Sequence, residues 1–194
     1  MLGLPGDLAE PGVPALIARQ ASEEMGPIDI LVNCASSSPP LRPLLNCDEA
    51  EWDWTMALNV KAYFLLAREL IPAMSNSGWG RVINVTSSTA LKARSGMGEY
   101  AVSKAAEIML TRQLAREVGK GGVTVNALAP VLTRTDSSAQ QWTDPDEVAH
   151  VTGLQAIPRL AEAEDMVGAA LLLASDAGQM ITGHTLVVDG GLLA

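Results

Sequence analysis

Short, almost continuously apolar runs alternate along the chain with longer stretches whose apolar positions return every three or four residues. The short runs lie at 28–35, 81–87, 123–129 and 184–189. Continuous apolarity over such lengths predicts strands covered on both faces. Helical periodicity fills 14–25, 48–75, 98–119 and 162–175. Pro14 opens the first of these, and Gly26-Pro27 stops it. Asp48 is a natural N-cap for the second. Residues 132–158 are polar, rich in Ser, Thr, Gln and Asp, and predict a flap with short helical pieces.

Strands alternating with helices predict right-handed βαβ units and a parallel sheet. The expected fold is a single α/β domain over 1–194, a Rossmann-like doubly wound sheet with residues 132–158 as a substrate loop or lid. In such sheets ligands sit beyond the carboxyl ends of the strands. Asn33, Ser87 and Pro130 all fall at or just past predicted strand ends. One site at that edge can therefore draw on all three strands.

The chemistry points to the same edge. Tyr100 follows Ser87 by 13 positions and opens the run Tyr-Ala-Val-Ser-Lys ending at Lys104. Residues at i and i+4 share a helix face, so an ammonium can lie beside the phenol. A cation there favours the phenolate and lowers the tyrosine pKa. No Gly-x-Ser-x-Gly elbow surrounds Ser87, which argues against a Ser-His-Asp hydrolase, and His150 and His184 have no evident role.

Composition narrows the partners. The 194-residue chain carries a net charge of −9 with no Lys/Arg cluster, which argues against nucleic acid and anionic membrane. No segment reaches the roughly 20 apolar residues of a membrane span. Cys34 and Cys47 lack zinc-ligand spacing, so no metal site is expected, and the thiols are read as reduced in a cytoplasmic protein.

With these residues in hand, the chain resembles the short-chain dehydrogenase/reductase family from Asp7 to Asp189. Asp7 resembles the family's adenine-contacting aspartate. Asn33-Cys34-Ala35-Ser36 is similar to its Asn-Asn-Ala-Gly motif. Asn59, Ser87, Tyr100 and Lys104 match its catalytic tetrad. Pro130 and Thr135 match its Pro-Gly-x-x-x-Thr stretch, and Thr185–Gly191 its last strand. A Tyr-x-x-x-Lys alone carries little weight, whereas the whole set in order is specific.

The resemblance implies a chemistry. A bound NAD or NADP exchanges hydride with a small alcohol or ketone, and Tyr100 acts as acid or base. Ser87 hydrogen-bonds the substrate oxygen. Lys104 holds the nicotinamide ribose, Pro130 and Thr135 the carboxamide, and Asp7 the adenine. Asn59 is expected to kink its helix and expose a carbonyl to a proton-relaying water. Asn33 is expected to bond across to a neighbouring strand at the cofactor's edge. The family also implies a homo-oligomer, dimer or tetramer, built on the helices around 48–75 and 98–119 and on the last strand.

Departures from the pattern shape the alternatives. Met1 stands about where the family's third strand begins. The expected sheet is therefore N-terminally truncated, without its first two strands and Gly-rich phosphate turn, and the strand at 28 is left as an edge. An internal start within a longer protein would explain this. Cys34, Ser36 and Val131 replace an asparagine and two glycines of the motifs. The tail from Met166 resembles the branch containing gluconate 5-dehydrogenase and deoxygluconate dehydrogenase. Arg42, Lys92 and Arg94 offer cations for a sugar acid, although solvated loop charges would look the same. Trp142 reads either as a lid over substrate or as a packing anchor. The alternative functions are a 3-oxoacyl-thioester reductase and a catalytically inactive fragment or interaction subunit. NAD and NADP are not distinguished.

Overall fold

The computed structural model describes residues 1–37 and 41–194. Among the described residues four strands form one sheet: β1 (Ile30–Asn33), β2 (Gly80–Val85), β3 (Val123–Pro130) and β4 (Thr185–Val188). They lie in the order β1-β2-β3-β4, and every pair is parallel. The register sets Asn33 beside Asn84 and Val85 beside Leu128. The carboxyl ends of β1, β2 and β3 therefore open onto one edge. The first strand is shorter than the 28–35 run predicts. Its side chains alternate, with Leu31 and Asn33 buried and Ile30 and Val32 exposed.

The helices cover both faces, as a doubly wound sheet requires. On one side α1 (Val13–Met25), α3 (Ala62–Ser77) and α4 (Gly98–Val118) pack against the strands. Ala18, Leu66, Leu70, Ile71, Met74, Val82, Ala115, Val123 and Val125 fill that layer. On the other, α7 (Val167–Ala174) packs Leu173 against Ile83 and Leu128. Adjacent residues Val82 and Ile83 thus serve opposite cores, which is why β2 is apolar throughout. Each such buried aliphatic side chain contributes about 1.5–3 kcal/mol. Gly80 opens β2 where a Cβ would fall 2.6 Å from that of Met74.

Local chemistry sets the boundaries. Gly26, at φ +82°, ends α1 in a conformation that favours glycine. Asp48 caps α2 (Glu49–Met56) by accepting the Glu51 N–H at 2.8 Å. The long 48–75 helix of the sequence reading is interrupted. A π-turn over Ala57–Lys61 separates α2 from α3 and centres on Asn59. Such turns are single wide loops inserted in a helix. The flap contains α5 (Ala139–Trp142) and α6 (Pro145–Gly153), with Asp144 capping α6. The helix predicted over 162–175 begins as a 3₁₀ turn at Ala163–Met166. No helix among the described residues is long and apolar enough to cross a membrane.

Candidate active site

Ser87 leaves the end of β2, Tyr100 and Lys104 stand on α4, and Pro130 closes β3. All four line one cavity of about 910 Å³, together with Thr135, Ser36, Ser37 and Cys34. The cavity's further walls are largely apolar, including Met97, Val131, Leu132, Val151, Leu154 and Leu192. Val151 of α6 packs with Val131 and Leu192, which seats the flap helix against the sheet edge.

The Ser87 hydroxyl accepts the Thr89 N–H at 3.2 Å and the Thr89 hydroxyl at 2.9 Å, fixing the turn after β2. Thr86 donates its hydroxyl to the Lys104 carbonyl at 2.8 Å, docking α4 on the strand end. Lys104 is 1% exposed. Its Nζ donates to the Val85 carbonyl at 3.0 Å and to Glu107 Oε1 at 2.8 Å. It lies 5.6 Å from the centre of the Tyr100 ring.

One expectation is corrected here. Lys104 was to lower the Tyr100 pKa, yet the phenol is pushed up to about 12. Burial is the main cause. Contacts with the Ser87 and Ser36 hydroxyls act the other way, and the Glu107 carboxylate adds to the rise. The ammonium is compensated by its own carboxylate partner, so little positive charge reaches the phenol. Burial also pulls Lys104 down, against the upward effect of Glu107. Burial lifts Glu107 to about 7, against the downward effect of Lys104.

Asn59 is fully buried in the π-turn. Its carbonyl oxygen accepts the Ser37 N–H at 2.9 Å. Its amide donates to the Ser37 hydroxyl at 3.0 Å and to the Ser103 hydroxyl at 2.8 Å. Among the described residues no hydrogen bond joins Asn59 to Lys104; Ser103, the residue before Lys104, lies between them. The Asn59 side chain thus ties the loop after β1 to α4.

Asn33 and Asp7 fall outside the main cavity. Asn33 donates to Asn84 Oδ1 at 2.8 Å, and Asn84 donates to Thr111 at 2.9 Å. This buried ladder joins β1, β2 and α4. Asn33 lines a second, smaller groove of about 390 Å³ with Leu4, Gly6 and Leu8. The Asp7 carboxylate accepts the Ala9 N–H at 2.8 Å beside that groove's lining. Cys34 lines both cavities, so the two meet at the end of β1. Thr135 sits on the main cavity's rim and caps a 3₁₀ turn with Ser138.

The cations read from the sequence are mostly occupied. Arg42 pairs with Glu51 at 2.5 Å and Glu99 at 2.7 Å. Arg94 pairs with Glu147 of α6. Among the described residues Lys92 lines the cavity with no ion-pair partner. Trp142 does not line it. Its indole N–H donates to the Thr135 carbonyl at 2.7 Å and Arg134 stacks on its ring, the arrangement of a packing anchor. Among the described residues no group of three or more His, Cys, Asp or Glu side chains is placed to hold a metal.

Sequence reasoning missed Glu107, Ser37 and Ser103. Glu107 had a readable signal, since i+3 from Lys104 shares its helix face. Ser103 stands inside the Tyr-x-x-x-Lys run.

Comparison with known proteins gives the family. A family model described as enoyl-(acyl carrier protein) reductase matches residues 2–193. The dehydrogenase/reductase SDR family member 4 of Bos taurus is 37% identical over 169 residues, covering 87% of this chain and 61% of that protein. A gluconate 5-dehydrogenase from Burkholderia cenocepacia, solved with NADP and tartrate, superposes with a TM-score of 0.92 at 30% identity. That match covers 97% of this chain and 73% of the other. A 3-oxoacyl (acyl-carrier-protein) reductase from Agrobacterium tumefaciens, solved with NADP, gives 0.89 at 34% identity, covering 97% and 73%. The chain belongs to the short-chain dehydrogenase/reductase family. It spans 60–64% of the length of the family-member-4 relatives it matches.

Proposed function

We propose that the chain is an NAD(P)-dependent oxidoreductase that interconverts a secondary alcohol and a ketone on a small substrate. The observation that carries this reading is the meeting of Ser87, Tyr100 and Lys104 on one cavity at the carboxyl edge of a parallel sheet. NADP is bound in the solved gluconate 5-dehydrogenase and 3-oxoacyl reductase relatives, which supports the cofactor class. The residues present fit the nicotinamide end of a dinucleotide. A hydroxyl-rich rim at Ser36, Ser37, Thr133 and Thr135 lines the main cavity, and the smaller groove continues it past Cys34. Lys104, Pro130 and Thr135 would hold the nicotinamide end, and Asn33 and Asp7 the far end.

When bound, the nicotinamide supplies or accepts the hydride. The chain's residues handle the oxygen and its proton. In reduction, Ser87 donates a hydrogen bond to the carbonyl oxygen and orients it. As hydride reaches the carbonyl carbon, the Tyr100 O–H bond breaks and the new O–H bond forms on the substrate oxygen. Tyr100 then recovers a proton from solvent. A phenol that keeps its proton throughout the neutral range is ready for this direction. Oxidation runs the same steps backwards.

The finer reading is a sugar acid or a similar hydroxy or keto acid. The gluconate 5-dehydrogenase relative supports it, with Lys92 as the cation that would meet a carboxylate. A second reading is a 3-oxoacyl-thioester reductase, favoured by the apolar cavity walls and by the reductase relative. Assaying gluconate-type acids beside acetoacetyl thioesters at 340 nm separates the two. Turnover of an acid that weakens in Lys92→Met supports the first, and turnover of thioesters alone sinks it. The reading includes a cytoplasmic homo-oligomer. The exposed apolar side chains of Phe64 on α3 and of Val102 and Met109 on α4 support association through those helices.

A further inference from the structure

A buried charge that the reaction does not itself call for stands one helical turn beyond Lys104. Glu107 is 0% exposed and its Oε1 accepts from Lys104 Nζ at 2.8 Å. Its other oxygen, Oε2, is buried with no hydrogen-bond partner among the described residues. An apolar residue would fill this place without that cost. A buried ammonium, by contrast, needs a partner to remain charged. Lys104 has two fixed partners, the Val85 carbonyl and Glu107.

We propose that Glu107 is a positioning residue, whose carboxylate keeps the buried Lys104 side chain charged and aims its remaining N–H at the cavity. Its catalytic meaning rests on the reading given under Proposed function; its effect on Lys104 does not. The groups around the pair are few. The Tyr100 ring faces Nζ from α4 and the Tyr63 ring from the first turn of α3, at 5.6 and 5.7 Å. Cys34 acts on Lys104 from the end of β1. β2 contributes the Val85 carbonyl and the uncharged Thr86. Glu107 is therefore the one carboxylate bonded to Lys104 among the described residues, and removing it leaves no other to replace it.

The test is a side-chain NMR titration of ¹⁵N-labelled protein. The Lys104 signal is identified by its disappearance in Lys104→Arg. In Glu107→Gln the Lys104 midpoint is expected to fall by at least about one pH unit, the usual effect of losing a close opposite charge. Reductive kcat/KM in that variant should decline with pH through the same midpoint, where the wild type stays level. Glu107→Asp keeps a carboxylate at a longer reach, so its midpoint should lie between the two. That variant also keeps the test decisive if the glutamine form does not fold. An unchanged midpoint in either folded variant overturns the proposal. The NMR arm needs no turnover, so a shifted midpoint in a protein without activity would count against the proposed reaction and not against the role of Glu107.

Discussion

Arg94, on the loop between Ser87 and Tyr100, grips Glu147 of the flap helix α6 through a two-pronged ion pair, with Nη1–Oε1 and Nη2–Oε2 both at 2.5 Å. The pair ties the loop that follows Ser87 to the helix that roofs the cavity. It is partly exposed, so an energetic contribution of up to ~1 kcal/mol is the appropriate scale. Glu147→Gln is expected to raise KM by about 2–5-fold with a smaller change in kcat. Proteolysis within 139–153 should also quicken. Unchanged KM together with unchanged proteolysis would show that the ion pair does not hold the flap.

The Tyr100 proton gives a pH signature. A phenol pushed up to about 12 stays protonated throughout the neutral range. Ketone reduction needs that proton, so its kcat/KM should show no Tyr100 limb between about pH 6 and 9. Alcohol oxidation needs the phenolate and should rise with pH over the same range. A Tyr100-dependent limb near neutrality in the reductive direction would mean that burial and Glu107 do not govern this residue.

Asn59 should act on stability. Its side chain makes three buried hydrogen bonds, to Ser37 twice and to Ser103 once. Asn59→Ala leaves those partners unsatisfied and is expected to cost about 1–3 kcal/mol in urea unfolding. Ser103→Ala, which removes one of the bonds, should cost less. Equal costs would indicate that the Ser37 contacts contribute nothing.

Glu107 should shape stability against pH. Its ordinary value is 4.5 and burial raises it to about 7 in the fold. Between those values the folded chain keeps a proton that the unfolded chain has released. This contribution to stability is therefore lost as pH rises through that window. Glu107→Gln removes the titration, so Tm measured from pH 4.5 to 7.5 should decline less in the variant. Parallel curves would contradict the raised value.

Much of this was legible in the residue pattern because it depends on local chemistry. Asp48 capped its helix, Gly26 ended α1, and the apolar runs became the four parallel strands, since each follows from backbone propensity and periodicity. The whole ordered set of motifs from Asp7 to Asp189, with Asn59, Ser87, Tyr100 and Lys104 among them, was enough to identify the family. What the pattern hid depends on tertiary burial. A glutamate in a helix is ordinarily solvated, and only the packing of α4 on the sheet turns Glu107 into the partner of Lys104 and reverses the expected shift at Tyr100. The engagement of Arg42 and Arg94 was hidden for the same reason: Glu99 and Glu147 are far from them in sequence and adjacent in the fold. The π-turn at Asn59 was foreseen as a kink, but its bonds to Ser37 and Ser103 required the third dimension.

The most direct test of the central claim is NADPH oxidation followed at 340 nm with a panel of keto acids and 3-oxoacyl thioesters, comparing the wild-type chain with Tyr100→Phe. The predicted result is turnover of at least one carbonyl by the wild type, reduced about 10²–10⁴-fold by the substitution. Turnover that survives in Tyr100→Phe, or no turnover of any carbonyl by the folded wild-type chain, would contradict it.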